Sequence, residues 1–371
     1  MNQPTAVAAT ASRSRQLLLA LLMFGFVAVA VLLLGEFVVR IFAPQPASWL
    51  DIYRLDPELP IHAAQPNLVR PVDTGETHWT IITDDRGFRV ASPPAAIAAS
   101  AATPARATVF AIGDSFTFGH GVNYEDGFIG QLEQRESDLR FVNSALPGYG
   151  PIQYRRVLER ELSHDASGIQ LLLVGTFLGN DFIDCIRSQS LASIPVHGGV
   201  LGDPGGVKSA IKRNSHLYRL LAKAYHLVAP AKDEDQQANQ AAIQKSSWEP
   251  GGAMQQAGAI YEREFARMAE LAKAKRVPLL VVVIPARQTL EAQRDHSDAA
   301  GVDSALPVEF VTGRFEALGI PFLDMTPVFA GHETKDLYFA YDGHLTKLGN
   351  ELVSEAIAKR IPELLASAGS R

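Results

Sequence analysis

Five short apolar segments, near residues 108–112, 140–143, 169–175, 278–284 and 320–323, alternate with stretches of helical period. Strands separated by helices cannot be joined as tight hairpins. They are expected to form a parallel sheet with right-handed crossovers and helices on both faces. The segments are continuously apolar, as strands buried on both sides are. The expected class is therefore α/β, a three-layer α/β/α sandwich. In such sheets ligands bind in the crevice beyond the carboxyl ends of the strands. The residues that leave each strand are the ones to inspect.

The first strand runs from Thr108 to Ile112 and leads into Gly113-Asp114-Ser115-Phe116-Thr117-Phe118-Gly119. A serine at this edge faces substrate, but it becomes a nucleophile only with a base to take its proton and an acid to hold that base. Near the far end the chain reads Asp342-Gly343-His344. A carboxylate two positions from an imidazole can accept from Nδ1–H and leave Nε2 for the serine proton. Two further strands end in small or amide residues: Phe141-Val142-Asn143 before Ser144-Ala145-Leu146-Pro147-Gly148-Tyr149-Gly150, and Ile169 to Val174 before Gly175-Thr176-Phe177-Leu178-Gly179-Asn180-Asp181. A glycine N–H and an asparagine amide can donate to an oxyanion without a bulky group in the way. Each block also has a plainer reading: a strand-to-helix turn at Ser115, a bend at Gly148 between Pro147 and Pro151, a turn at Asn180, and a loop histidine before a helix at His344.

The ordered set of four blocks resembles the SGNH (GDSL-type) hydrolase superfamily, in its membrane-anchored bacterial form, over about Thr108 to Ile361. The resemblance implies a flavodoxin-like order for the five parallel strands. It also implies Ser115 as nucleophile, His344 as base, Asp342 as acid, and an oxyanion hole from the N–H groups of Ser115 and Gly148 with the Asn180 amide. Many members separate acid and histidine by two residues, whereas here only Gly343 intervenes. That spacing is similar to the branch found in polysaccharide O-acetylation systems, although simple esterases share it. The implied activity is serine-dependent acyl-ester hydrolysis or O-acyl transfer on acetylated cell-envelope glycans or related esters. The alternative is a non-catalytic glycan-binding or assembly subunit of a polysaccharide export machine.

His120, five residues after Ser115, is the rival base. A helix is expected to carry it away, and no acid stands beside it in sequence, so it is read as peripheral. Asp181 and Asp324 are the rival acids, and Asp114 is read as a local hydrogen-bond organiser. The lone Cys185 permits no internal disulfide and reads as a small buried apolar residue. No dinucleotide fingerprint, phosphate loop, His-Glu-x-x-His or Cys/His cluster is found, so neither a metal nor another cofactor is expected. A formal charge of −6 over 371 residues and a pI near 5.9 disfavour nucleic-acid binding.

Leu17 to Gly35 is nineteen residues without a charge, and apolar character resumes after Glu36. That length crosses roughly 30 Å of hydrocarbon and exceeds the apolar part of a cleaved signal. A retained transmembrane helix over 17–39 is expected, behind a cytoplasmic tail over 1–16. Arg13 and Arg15 precede the span without acids, which places the amino terminus in the cytoplasm. The expected location is the inner (cytoplasmic) membrane, single-pass, with the catalytic domain periplasmic. Residues 40–107 are read as a proline-rich membrane-proximal stalk, a small strand pair over 79–90 and a linker from Pro93 to Ala107. Residues 108–365 form the hydrolase domain. Its insert at about 186–253 breaks the strand–helix rhythm and is expected either to rim the active site or to be a solvated excursion; His216, Tyr218 and Trp248 within it receive no task.

Overall fold

The computed structural model describes residues 7–45, 52–74, 76–93, 107–164, 166, 168–188, 195–196, 199–200, 211, 214–228, 241–295 and 301–369. In chain order the elements used below begin with α1 (Val7–Phe42), β1 (Tyr53–Leu55), β2 (His62–Ala64), β3 (Val69–Asp73) and β4 (His78–Ile82). They continue with β5 (Ala107–Ile112), α2 (Ser115–Phe118), α3 (Phe128–Arg135), β6 (Leu139–Asn143), α4 (Pro151–His164), β7 (Ile169–Phe177) and α5 (Asp181–Arg187). The last are α6 (His216–Val228), α7 (Ala253–Lys275), β8 (Leu279–Ile284), α8 (Arg287–Asp295), α9 (Leu306–Leu318), β9 (Phe322–Asp324) and α10 (Lys347–Ala358). The chain forms two compact units, one of residues 1–48 with 205–231 and one of residues 49–204 with 232–371.

In the larger unit the five parallel strands lie in the order β9-β8-β7-β5-β6. Counted along the chain this is the 2-1-3-4-5 order of a flavodoxin-like sheet, whose switch point lies between β5 and β7. The register sets Ile112 beside Val174 and Val174 beside Val281, while the next row holds Asn143, Ala111, Leu173 and Leu280. Because strand side chains alternate, the first row faces α4, α7 and α9 and the second faces α3 and α10. All these apolar strand residues are inaccessible to solvent. Burying each valine, leucine or isoleucine contributes about 1.5–3 kcal/mol. The double-sided core explains why the strands carry no polar face.

The reading of residues 40–107 as stalk, strand pair and linker needs correction over 52–73, the part read as stalk. Here β1–β2 and β3–β4 form two antiparallel hairpins, and Ile52, Ile61, Trp79, Ile81 and Phe88 enter the same core as β5 and α4. The expected pair over 79–90 is present as an antiparallel bridge of Thr83 with Arg89 around the Asp84–Gly87 turn, and β3 adds a second partner to β4 that the sequence reading did not include. The prolines are not a sign of an extended segment: Pro71 sits within β3, on a two-stranded sheet. Residues 94–106, most of the expected linker, lie outside the described residues.

The insert over 186–253 is likewise not one body. Helix α6 groups with α1 in the smaller unit, whereas Ala242 and Trp248 pack with Phe182 and Phe310 in the larger one. Residues 232–240 of the glutamine-rich stretch lie outside the described residues. Among the described residues one helix, Leu18–Phe42, is long and apolar enough to cross a membrane.

Candidate active site

Strand β5 delivers the chain to a tight turn at its carboxyl end. Asp114 caps α2 by accepting from the Phe116 N–H at 2.9 Å, so Ser115 opens that helix. The turn is shaped by two glycines on neighbouring strands. A Cβ on Gly113 would lie 2.1 Å from Thr117 Oγ1, and one on Gly175 would lie 2.0 Å from the same atom. Thr117 thus fills the gap between β5 and β7, and the switch point closes only if both positions lack side chains. The loop after β6 is tied to this turn through Ser144 N–H to Ala111 O and Leu146 N–H to Gly113 O.

His344 comes from the loop before α10 and reaches the same edge. Its Nε2 lies 2.7 Å from Ser115 Oγ and its Nδ1 lies 2.6 Å from Asp342 Oδ1. Burial alone would raise the Asp342 carboxyl, but the neighbouring imidazoles of His344 and His120 hold it well below the usual carboxylate range. An ionised Asp342 can only accept, so His344 Nδ1 donates and Nε2 is left to accept from the serine hydroxyl. Gly343 makes the short spacing workable. Its φ of +78° reverses the chain between acid and base, so two residues separated by one position meet through their side chains.

Three further groups support this loop, and the sequence did not single out two of them. Glu76, in the turn between β3 and β4, accepts from three successive backbone N–H groups, those of Ala340, Tyr341 and Asp342. The amino-terminal hairpin therefore holds the loop that presents the acid. Arg89 is buried and donates to the carbonyls of Phe118, Gly119 and Val122, pinning the turn after α2; burial pushes its guanidinium down to about 10. That turn carries His120, and here the reading of His120 as peripheral needs correction. Helix α2 is only four residues long, and Gly119 ends it in a left-handed cap. The chain therefore turns back instead of carrying His120 away. The His120 ring lies between Trp79 and His344, with centroids 4.8 and 4.4 Å away, and its Nε2 is 3.4 Å from Asp342 Oδ2. No acid adjoins it in sequence because the acid is supplied from 222 positions away.

The ligand atoms of His120, Asp342 and His344 all lie within 4.8 Å of one another, the described group able to hold a metal ion. The three are already joined to each other and to Ser115, the arrangement of a proton relay.

Asn180 caps the far side of the crevice, at the end of β7 and the start of α5. Burial pushes the Asp114 carboxyl up to about 6, against the pull of the Phe116 N–H, the His344 ring and the Asn180 side chain. Asp181 is fully buried, accepts from Tyr154 Oη at 2.8 Å and from Thr176 Oγ1 at 2.5 Å, and is pushed well above its ordinary value by burial and by the Asp114 charge. Gly148 sits at φ +82° in the loop after β6, between Pro147, whose carbonyl accepts from Tyr53 Oη, and Tyr149, whose Oη donates to the His62 carbonyl. The rival acid Asp324 caps the following turn by accepting from the Thr326 N–H. Cys185 is fully buried and burial pushes its thiol up.

The arrangement is a doubly wound α/β fold with a Ser–His–Asp relay at the carboxyl edge of its first strand. Residues 247–371 match the family described as SGNH hydrolase-like domain, acetyltransferase AlgX; the matched stretch contains Asp342 and His344. No curated protein matches the chain. Among solved structures, the chain is similar to a member of the lipolytic protein G-D-S-L family from Veillonella parvula, at 14% identity over 68% of this chain and 96% of that one, with a TM-score of 0.37. It is also similar to the psychrotrophic esterase EstA from Pseudoalteromonas sp., at 12% identity over 70% and 99% of the two chains and a TM-score of 0.39. The acetyl xylan esterase AlAXEase matches at 12% identity over 68% and 99%, again with a TM-score of 0.39. The family match over the carboxyl-terminal third and the 2-1-3-4-5 sheet order agree with the SGNH-type resemblance of the four ordered blocks.

Proposed function

We propose that this protein is a membrane-anchored serine enzyme that moves acyl groups, with acetyl esters of cell-envelope glycans as its substrate class. The observation that carries the reading is the unbroken relay from Ser115 Oγ to His344 Nε2 at 2.7 Å and from His344 Nδ1 to Asp342 Oδ1 at 2.6 Å. A binding subunit has no use for such a relay. Ser115 Oγ attacks the ester carbonyl while its proton passes to His344 Nε2. The Asp342 charge stabilises the imidazolium that forms. The carbonyl oxygen becomes an oxyanion, for which the Ser115 and Gly148 N–H groups and the Asn180 amide are the donors. Collapse breaks the ester C–O bond, and the imidazolium returns its proton to the departing alcohol. A water or a sugar hydroxyl then attacks the acyl-serine, again giving its proton to His344.

The choice between water and sugar as acceptor separates a hydrolase from an O-acyltransferase. The family description over residues 247–371 names an acetyltransferase, which supports the second. The apolar helix Leu18–Phe42 supports attachment to the inner membrane with the catalytic unit on the periplasmic side, where such glycans are met.

Covalent labelling by a fluorophosphonate tests the reading directly. The wild-type chain is expected to take one label at Ser115. The Ser115→Ala variant is expected to take none and to lose at least ~10³-fold in turnover of a model acetyl ester. A folded wild-type sample that takes no label and cleaves no ester would return the protein to the class of glycan-binding subunits. Product analysis with an acetyl donor and candidate glycans then separates transfer from hydrolysis.

A further inference from the structure

Helix α1 carries Glu36 and Arg40 inside an otherwise apolar stretch. A carboxylate there is costly in lipid unless its charge is met. Glu36 is met by Arg40 one turn along α1 and by a segment almost 180 positions away. It accepts from Ser215 Oγ at 2.8 Å, from the His216 and Leu217 N–H groups at 2.9 Å each, and from Arg40 Nη2 at 2.8 Å. Arg40 in turn donates to the Asn214 carbonyl at 2.7 Å, and the Gln45 N–H donates to His216 Nδ1 at 2.8 Å. Glu36 thus occupies the first turn of α6 as an N-terminal cap supplied by another helix, where the dipole favours an anion. Gly35 allows the approach, since a Cβ there would sit 3.0 Å from Leu217 Cδ2.

With Leu217 turned to α1, α6 leaves a second apolar face uncovered. Tyr218, Leu221 and Tyr225 recur at helical spacing on it, and Leu221 and Tyr225 are 57% and 65% exposed. From Leu18 to Phe42 α1 exposes a long run of apolar side chains, Phe37, Ile41 and Phe42 among them. Tyrosines flanking a leucine, beside the polar end of an apolar span, match the headgroup boundary of a bilayer.

We propose that α6 is a membrane-surface helix, clamped to the anchor by Glu36, whose Tyr218–Leu221–Tyr225 face lies against phospholipid. The continuity of this face with the exposed apolar surface of α1 selects lipid over a protein partner. The inference goes beyond the acyl-transfer reading and rests on α1 being the anchor, so the test reports on α1 separately.

Full-length protein is reconstituted in vesicles of phosphatidylethanolamine and phosphatidylglycerol and spin-labelled at Y218C, L221C, Y225C or, on α1, V27C. Cys185 stays in place because it is fully buried. Labels at 218, 221 and 225 are expected to relax more strongly with oxygen than with a water-soluble nickel complex, as at 27. Nickel accessibility at 221 with oxygen preference at 27 overturns the surface helix alone. Nickel accessibility at 27 overturns the anchor and α6 docking together, and leaves the acyl chemistry standing. A label at 221 shielded from both reagents overturns the proposal in favour of a protein partner. E36A is expected to increase the mobility of the 221 label, and unchanged mobility overturns the clamp; both variants are compared after ester-cleavage activity has shown the catalytic unit to be folded.

Discussion

Two aspartates of the site, Asp342 half-buried and Asp181 fully buried, behave oppositely. Asp342 has two imidazoles against its two oxygens and is held well below the carboxylate range despite burial. Asp181 meets only hydroxyl donors, from Tyr154 and Thr176, with Asp114 as a like charge nearby, and is pushed well above that range. The side chains are chemically identical, and the difference lies in whether the neighbours can carry positive charge. The ionised one can stabilise an imidazolium during proton transfer. The other is a structural hydrogen-bonding group at the foot of the Asn180 turn.

The contrast can be broken by exchanging each carboxyl for an amide. Asp342→Asn removes the charge and can present an N–H to Nδ1, favouring the wrong tautomer of His344. Turnover of a model acetyl ester is expected to fall by on the order of 10⁴-fold with the fold intact by circular dichroism. A loss under tenfold would remove Asp342 from the relay. Asn180→Ala leaves the relay untouched and deletes one oxyanion donor, so kcat is expected to fall ~10²- to 10³-fold while fluorophosphonate labelling persists at a reduced rate.

His120→Asn sharpens the comparison, because it removes one of the two imidazoles that make Asp342 unlike Asp181. An expected loss of about tenfold in kcat corresponds to about 1.4 kcal/mol. His120 acts as a positioning residue that draws on part of the Asp342 charge. Without it His344 feels that charge in full, and the acid limb of the pH–rate profile is expected to move to higher pH. A change in KM alone, with an unmoved profile, would make His120 a packing residue only.

The smallest effect on activity is expected from Asp181→Asn, at most a few-fold, and here stability is the informative readout. The folded carboxyl titrates above its ordinary 3.8, so above that pH the unfolded chain binds fewer protons than the folded one, and stability is lost as pH rises. Asp342 has the reverse sign: its contribution is complete above 3.8 and is lost as pH falls below it. In urea titrations at neutral pH, Asp181→Asn is expected to equal or exceed the parent, and Asp342→Asn to fall below it. Equal losses in both would mean that the two sites share one electrostatic environment.

Much of this site was legible because each piece is a local pattern. Ser115 follows a five-residue apolar strand, Asp342 and His344 are one residue apart, and Asn180 closes another strand, so chain order and strand direction bring them to one edge. The strands between 52 and 73 are not legible because their prolines and short length leave no helical or long alternating period, and only docking on the core orders them. His120 was misjudged for a related reason. Helical continuation was assumed where Gly119 stops the helix after one turn, and its acid partner is not a neighbour in sequence.

Composition and periodicity carried the α/β class, the parallel sheet and the apolar amino-terminal helix, since burial on two faces leaves direct marks on residue order, while ordered motifs and the resemblance they carry singled out Ser115, His344 and Asp342. Packing alone decided that Glu76 grips the loop of the acid, that Thr117 needs glycine at both 113 and 175, and that Glu36 caps a helix far along the chain. Those contacts join segments from 58 to 266 residues apart, or depend on the shape of a filled gap, and neither separation nor shape is written in any local run of amino acids.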